Sequence, residues 1–240
     1  MKPTNTIALT AVCTLGVLVA GCASTGESST SNSTGGGPQI ATRYKADDGR
    51  TIEIGRNTPA EGGLNFREPH LEKCWIADGF NFNGYDTLYI APTMSTAKFH
   101  NDEAQIHEWA KQMLPTELTS YIIRKGIFAN VVTSEGAIKP GAKVLKMENT
   151  ITEYSKGGGA GRYFAGIYGG GQPVLRVQGK VSDGEKTVFR YEARRSGASA
   201  GGRMVGGFMK DEDVQIEDMH SMSIDLSDFM AAIAGKYAAK

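Results

Sequence analysis

The sequence predicts an α+β fold, in which a mostly antiparallel sheet is packed by a long helix in the first half and a second helix at the carboxyl end. Apolar and polar residues alternate over 174–181 and again over 187–194, as in two strands of a half-buried sheet. Apolar residues recur at helical spacing over 106–122 and near the carboxyl end, as in helices that cover a sheet. Hydrophobic residues make up 40% of the 240-residue chain, which is enough to fill a core.

The chain begins with a pattern typical of a bacterial lipoprotein signal. Lys2 precedes an apolar run from Ile7 to Ala20, and Val19-Ala20-Gly21 leads directly into Cys22. The run is shorter than the roughly 20 apolar residues that cross a bilayer, so a cleaved signal is favoured over a transmembrane helix. We therefore expect residues 1–21 to be removed and Cys22 to be lipidated with acyl chains such as palmitate, which anchor the protein in membrane lipid.

The residues after Cys22 predict a tether and a location. Ala23 stands where an aspartate would favour retention in the inner membrane, so we expect the periplasmic face of the outer membrane. Surface exposure and the inner membrane remain alternatives. Residues 22–42 are rich in Ser, Thr and Gly and bury too little apolar surface to fold, which predicts a flexible tether. A single globular domain is expected over 43–240.

The first part of this domain gives one clear signal and one unclear segment. Asp48-Gly49 is a turn dipeptide, and the alternation over 51–54 predicts one strand of a hairpin around it. Residues 56–85 mix turn formers with aromatic residues, so regular structure cannot be assigned there; a loop this long is either functional or contains an element that the pattern does not reveal. Their rings offer large areas to bury, so we expect this segment to pack on the rest of the domain.

The middle of the chain predicts a strand, a helix and a strand. Residues 87–90 are β-rich and end before a proline, which indicates a strand. Cap-forming and acidic residues at 101–103 then precede the apolar stripe of a helix that ends at Gly126. The stripe stays in phase across Pro115, which favours one kinked helix over two separate helices. Residues 127–133 predict the next strand.

The last part predicts three strands and a helix. Residues 143–154 read as a half-buried strand, and Asp183-Gly184 joins two alternating strands in an antiparallel hairpin with an apolar inner face and a charged outer face. Apolar residues then recur at helical spacing from Leu226 to Tyr237, after Ser223 and Asp225. We expect this final helix to cover the sheet.

One stretch carries a resemblance to a known family. Ile151-Thr152-Glu153-Tyr154 is followed by the glycines of 157–161, by Arg162, and by the aromatic and glycine run that ends at Gly171. Together with the next strand and its Asp-Gly turn, this stretch resembles the uncharacterised bacterial lipoprotein family known as domain of unknown function 4410. The resemblance covers about 87–240, and its most specific parts are Arg162 and the run 166–171.

The resemblance has limited implications. It implies a fold similar to that of the TolB amino-terminal domain and the curli-secretion lipoprotein. The family has no established activity, so the resemblance transfers no catalytic residue. The chain departs from the family in the aromatic segment 56–85 and in a second glycine cluster over 201–207.

The glycine-rich run is a candidate contact loop. No Gly-Lys-Ser/Thr follows the glycines and a strand comes next, so a phosphate-binding loop is not indicated. Two interpretations remain: close packing between two strands, or a partly apolar surface for a protein partner. The candidate contact residues are Arg162, Tyr163, Phe164, Gly166, Ile167, Tyr168 and Gly169.

Other polar clusters predict neither a metal site nor a catalytic one. His107-Glu108 lacks a second histidine four residues along the helix, so a charged first helical turn explains the acidic and histidine residues over 100–108. The arginines at 190, 194, 195 and 203 are diluted by acidic neighbours and indicate a solvated face. Cys74 remains as a lone cysteine after loss of Cys13 and lipidation of Cys22, and we expect a buried residue or an intermolecular disulfide.

Charge and composition narrow the function classes. The chain has 26 basic and 26 acidic residues, and this balance argues against a nucleic-acid partner. No cofactor is indicated. The leading hypothesis is a membrane-anchored, non-enzymatic binding or assembly module for an envelope protein complex. The alternative is an envelope enzyme, such as a cell-wall or small-molecule hydrolase, whose acid and base meet only in the folded chain.

Overall fold

The computed structural model describes residues 41–46, 49–67, 71–157, 173–196 and 211–239. Within these ranges the chain forms twelve strands and two α-helices, and most strand pairs are antiparallel. The predicted α+β class is therefore confirmed. The signal, Cys22 and nearly all of the tether lie outside the described residues and stay predictions, as does the finer likeness to the TolB amino-terminal domain.

The first strands form a small sheet. Strand β1 (Arg43–Lys45) pairs antiparallel with β2 (Thr51–Glu53) on one side and with the final strand, β12 (Ala238–Ala239), on the other. Gly49 has a positive φ of 84° in the turn, a conformation that glycine adopts without strain. The predicted hairpin is thus confirmed.

The segment 56–85, in which the sequence allowed no assignment, contains three strands. These strands are β3 (Arg56–Ala60), β4 (Gly63–Arg67) and β5 (Lys73–Ala77), and they pair in order. Pro59 lies in β3, the edge strand, where a missing N–H removes no ladder hydrogen bond on the open side. Phe66 and Phe82 are buried, so the expected packing of the aromatic residues is confirmed.

A large sheet continues from these strands. Its remaining members are β6 (Thr87–Ile90), β7 (Met94–Ser95), β8 (Asn130–Val132), β9 (Val144–Ser155), β10 (Val174–Asp183) and β11 (Lys186–Ser196). The order is β3-β4-β5-β11-β10-β9-β6-β8, and β7 also pairs with β9. Strand β6 is parallel to β8 and β9, and β7 is parallel to β9. The strands predicted near 87, 127, 143, 174 and 187 are confirmed.

Two helices pack on the inner face of this sheet. Helix α1 (Ala104–Arg124) continues through Pro115, which confirms one helix over two. Helix α2 (Asp211–Ile233) begins well before the predicted start near Ser223. It also ends before Tyr237, because Gly235 takes a positive φ of 70° and the N–H of Lys236 donates to the Ala231 carbonyl at 2.9 Å. None of the described helices is long and apolar enough to cross a membrane.

The two faces of the sheet differ in cover. Apolar residues of the inner face form one core with both helices, as shown by Phe229 of α2, whose ring stacks on Phe189 of β11 at 5.8 Å between centroids. No described element covers the opposite face of β5, β9, β10 and β11. That outer face is where charged side chains of the alternating strands meet.

Candidate binding surfaces

The outer face holds a groove built from two rows of side chains that cross the strands. The first row runs through the register partners Asn65, Trp75, Arg190, Lys180 and Glu148. The second row runs through Lys73, Glu192, Gln178 and Thr150. These nine residues, which we call the outer-face groove, line a cavity of about 470 Å³. This volume lies within the usual range of small-molecule sites.

A third row of residues lies between these two, and its side chains point to the core. It joins Cys74, Tyr191, Gly179 and Asn149 in register. The Tyr191 hydroxyl donates to Asn149 Oδ1 at 2.7 Å, and burial raises the pKa of Tyr191, so this donor keeps its proton. A Cβ at Gly179 would lie 2.0 Å from the Tyr191 ring. The ring therefore needs glycine there, and this contact fixes the strands beneath the groove.

Most charges of the groove are already paired. Lys180 lies 2.9 Å from Glu148, which also receives Lys146 at 3.1 Å. Glu192 accepts from Arg176 at 3.1 Å and from Lys73 at 3.3 Å. The hydrogen bond from Lys180 lowers the pKa of Glu148. Both carboxylates are thus placed to act as hydrogen-bond acceptors.

Arg190 is the exception among the three cations of the groove. Its guanidinium lies over the Trp75 ring, 4.4 Å from the centroid, and no carboxylate of the described chain forms an ion pair with it. The Trp75 ring also packs close to the β4 backbone, because a Cβ at Gly63 would lie 2.9 Å from Trp75 Cε2. The ring and the guanidinium form a layered pair that leaves one positive charge unpaired in the groove.

These contacts decide what the groove can do chemically. A general acid needs a carboxyl group that keeps a proton near neutral pH, whereas Lys180 holds the pKa of Glu148 below its ordinary value. Glu148 is therefore not suited to act as a general acid near neutral pH. Fixed acceptors, amide groups and an unpaired guanidinium suit recognition of a polar ligand.

The predicted acidic and histidine cluster lies at the start of α1. Glu103 is buried, and its carboxylate accepts from the backbone N–H of His100 and of Lys156, each at 2.8 Å. Asp102 pairs with the Lys156 ammonium, which lowers the pKa of this carboxyl. Glu103 therefore ties the start of the helix to the end of β9. In the part of the chain that the structure describes, no three His, Cys, Asp or Glu side chains converge as metal ligands.

His107 meets a serine that the sequence did not single out. Ser95 Oγ lies 2.8 Å from His107 Nε2, and Phe99 stacks on the imidazole at 4.0 Å between ring centroids. Within the described ranges, His107 Nδ1 has no hydrogen-bond partner, and Glu108 Oε1 lies 3.8 Å from it. Burial lowers the pKa of His107. Without a group that orients Nδ1, the pair lacks the third member of a catalytic triad and instead links β7 to α1.

Two further predictions can be compared with the structure. Cys74 is 2% exposed, which confirms a buried cysteine. Arg195 is not part of a solvated face, because its side chain is buried against Asp225 of α2. Arg190 and Arg194 do lie on the outer face, as expected, whereas residue 203 lies outside the described residues.

The candidate contact residues 162–169 also lie outside the described residues, but the strands at their ends are well defined. Ser155 at the end of β9 pairs with Val174 at the start of β10, and Val174 pairs with Ser196 at the end of β11. The connections from β9 to β10 and from β11 to α2 therefore leave the sheet from one row. These connections contain both glycine clusters of the sequence.

The sequence missed the groove because its residues come from five separate strands. The alternation predicts that the side chains of residues 178, 180, 190 and 192 face outward, but it does not show which side chains of β4, β5 and β9 lie beside them. Trp75 and Asn65 lie on β5 and β4, which were not predicted. Recognition of the meander over 56–77 would have been the signal that brings these side chains together.

Comparisons with known proteins identify no family. No family model and no curated protein match the chain. The PelC dodecamer from Paraburkholderia phytofirmans is 15% identical, with a TM-score of 0.39 over 63% of this chain and 96% of that chain. A variant of the same dodecamer is also 15% identical, with a TM-score of 0.38 over 64% and 95%. A putative neuraminyllactose-binding hemagglutinin homolog from Helicobacter pylori is 8% identical, with a TM-score of 0.29 over 61% and 83%. Likeness at this level assigns no function.

Proposed function

We propose that the protein is a lipid-anchored envelope protein that acts as a non-enzymatic binding module for a protein complex. Acylated Cys22 holds it at the periplasmic face of the outer membrane, and the Ser, Thr and Gly-rich tether lets the domain reach partners near that membrane. Membership in the lipoprotein family of domain of unknown function 4410 is part of the same proposal. The signal pattern at 1–22 supports the anchor.

The observation that carries the binding role is the row of Ser155, Val174 and Ser196. Three long strands end or begin in this row, so both glycine-rich connections start from one rigid end of the sheet. The first connection contains Arg162, three aromatic side chains and Ile167 among glycines and alanines, a composition suited to protein contact. Binding residues on connections that a rigid sheet positions are a common arrangement.

The described polar sites favour this role over the hydrolase alternative. The groove carboxylates are tied to cations, and His107 has no carboxylate that orients its second nitrogen. Neither feature hinders a binding module, because binding needs no free carboxylate and no oriented histidine. Residues 162–169 are therefore proposed as the contact with the protein partner.

Crosslinking in cells followed by mass spectrometry tests the contact. Replacement of Tyr163, Phe164 and Tyr168 with serine is expected to abolish capture of a discrete envelope protein while the melting temperature stays unchanged. The matched control replaces Met94, Ile123 and Ile216, which are exposed apolar side chains elsewhere, with serine and should retain capture. Equal capture by both triple variants, or a large loss of stability in the first, would contradict the proposal.

Fractionation tests the anchor separately. Cys22→Ser removes the acylated thiol, so the protein should move from the membrane fraction to the soluble envelope fraction. Cys74→Ser is the control, since this buried thiol is distant in sequence from the signal and should leave membrane retention intact. Full membrane retention of Cys22→Ser would show that lipid at this residue is not the anchor.

A further inference from the structure

The charges of the outer-face groove leave a place for one anion. The groove contains three basic side chains, Lys73, Lys180 and Arg190, and two acidic ones, Glu148 and Glu192. Both lysines are paired with the glutamates, which leaves the Arg190 guanidinium as the unpaired charge. A guanidinium offers parallel N–H donors that match the two oxygens of a carboxylate. Charge complementarity therefore calls for a ligand with one carboxylate.

The neutral polar side chains of the groove indicate which chemical groups the rest of this ligand carries. Asn65, Gln178 and Thr150 line the cavity, and their side chains make no hydrogen bond to any described residue. Amide and hydroxyl groups both donate and accept, as the hydroxyls of a sugar do. The two rows lie roughly 7 Å apart along the strands, a distance that one substituted sugar ring spans. Arg190 on one row and Gln178 on the other can therefore contact the same ring.

The position of the groove within the sheet argues against an extended peptide. Peptides that add to a sheet pair with the free backbone groups of an edge strand. The groove lies over β4, β5, β11, β10 and β9, and each of these strands is paired on both sides. Recognition here must come from side chains, and a ligand that offers hydroxyl groups around a compact ring meets that requirement.

From these observations we propose that the outer-face groove binds an acidic sugar, with its carboxylate on Arg190 and its hydroxyls on Gln178 and Thr150, which lie on the next two strands of the sheet. None of the residues that line the groove belongs to the proposed contact residues 162–169, so the two proposals are tested by different substitutions. The ring of Trp75 positions the guanidinium and keeps it close to the floor of the groove. The fixed pair of Tyr191 and Asn149 below the groove keeps the strands, and hence both rows, in place.

Titration calorimetry of the mature, detergent-solubilised protein tests this proposal. The probes are a galacturonic acid trimer, the neutral galactose trimer and inorganic phosphate. We expect the acidic trimer to bind and Arg190→Gln to weaken it by about tenfold or more, because a charge-assisted hydrogen bond is lost. Arg194→Gln is the matched control: it removes the same charge from the same face, but Arg194 pairs with Glu153 and does not line the groove.

Each outcome decides the matter. Binding of the acidic trimer that is retained by Arg194→Gln and lost in Arg190→Gln supports the site. Equal binding of the neutral trimer overturns the carboxylate contact, and phosphate binding as tight as that of the acidic trimer overturns selectivity for a sugar. Absence of heat with every probe overturns the proposal, provided that the melting temperatures show folded protein. Loss of partner capture in Arg190→Gln would show that the groove belongs to the protein contact instead.

Discussion

Helix α2 carries two buried carboxylates in opposite surroundings. Asp228 is 2% exposed and accepts hydrogen bonds from Tyr237 at 2.7 Å and from Arg50 at 3.1 Å, and it also pairs with the Lys125 ammonium. Asp218 is 1% exposed, and its Oδ2 has no hydrogen-bond partner among the described residues. The comparison teaches that burial alone does not decide whether a charged carboxylate stabilises the fold, because its ion-pair and hydrogen-bond partners determine the sign of the effect.

Asp228 joins elements that are distant in the chain. Arg50 precedes β2, Lys125 follows α1, and Tyr237 precedes β12. Lys125 also lies over the Tyr237 ring, 5.7 Å from its centroid. One carboxylate on α2 thus holds the first helix and the small sheet against the second helix. Removal of its charge would leave two cations without their shared partner.

Asp218 lies at the other end of α2, near the row from which the glycine-rich connections leave. One turn earlier, Gln215 Nε2 donates to the Ser155 carbonyl at 2.8 Å, while its buried Oε1 has no partner in the part of the chain that the structure describes. Burial is the main cause that raises the pKa of Asp218 to about 7; the charge of Arg195 opposes this shift and that of Glu217 adds to it. Unsatisfied polar groups and perturbed carboxyl groups are enriched at functional sites. This location supports the proposed contact end of the sheet.

The largest expected effect is that of Asp228→Asn. The substitution keeps the size of the side chain but removes the charge that compensates Lys125 and Arg50. We expect the free energy of unfolding at pH 8 to fall by about 4 kcal/mol, as for a broken buried ion pair. Urea unfolding monitored by circular dichroism measures it. A change below about 1 kcal/mol would show that the cluster behaves as a surface pair and would remove the contrast with Asp218.

The same substitution at Asp218 is expected to have the opposite sign at pH 8. The folded-state pKa near 7 exceeds the unfolded value of 3.8, so the folded protein binds more protons between these values. Stability contributed by this group is therefore lost as pH rises from about 4 to about 7. The full shift corresponds to roughly 4 kcal/mol, and a buried amide offsets part of the gain. Asp218→Asn should raise the free energy of unfolding by about 2 kcal/mol at pH 8.

The pH profile separates this explanation from a general gain in packing. At pH 4 the Asp218 carboxyl is protonated in the folded state, so wild type and Asp218→Asn should unfold with nearly the same free energy. The difference between them should grow up to about pH 7 and then stay constant. A difference that is equal at pH 4 and pH 8 would contradict the unpaired charge. A loss of stability at pH 8 would show that the carboxylate makes favourable contacts there.

Elements with a clean apolar pattern are predicted from the sequence, whereas elements whose pattern is interrupted by buried polar residues or proline are missed. The hairpin of β10 and β11 follows a clean alternation because its two faces meet different surroundings, core and solvent. The first half of α2 was missed because polar residues occupy core-facing positions there: Gln215, Asp218 and Ser223 are buried and interrupt the apolar stripe. Strand β3 was missed because it is an edge strand that contains Pro59. The groove was missed for a related reason, since cross-strand rows cannot be found without every strand.

The smallest expected change in the free energy of unfolding is that of Glu148→Gln, which compares an exposed paired carboxylate with the buried one at Asp228. Glu148 is paired like Asp228, with Lys180 and Lys146, but its side chain is 38% exposed. Water already solvates these charges, so Glu148→Gln should change the free energy of unfolding by less than about 1 kcal/mol. Because its pKa is lowered, any stability from Glu148 should be present above its ordinary pKa and disappear in acid. Urea unfolding at pH 8 and pH 3 measures both. A loss as large as that of Asp228→Asn would mean that the number of partners, rather than burial with partners, controls the effect.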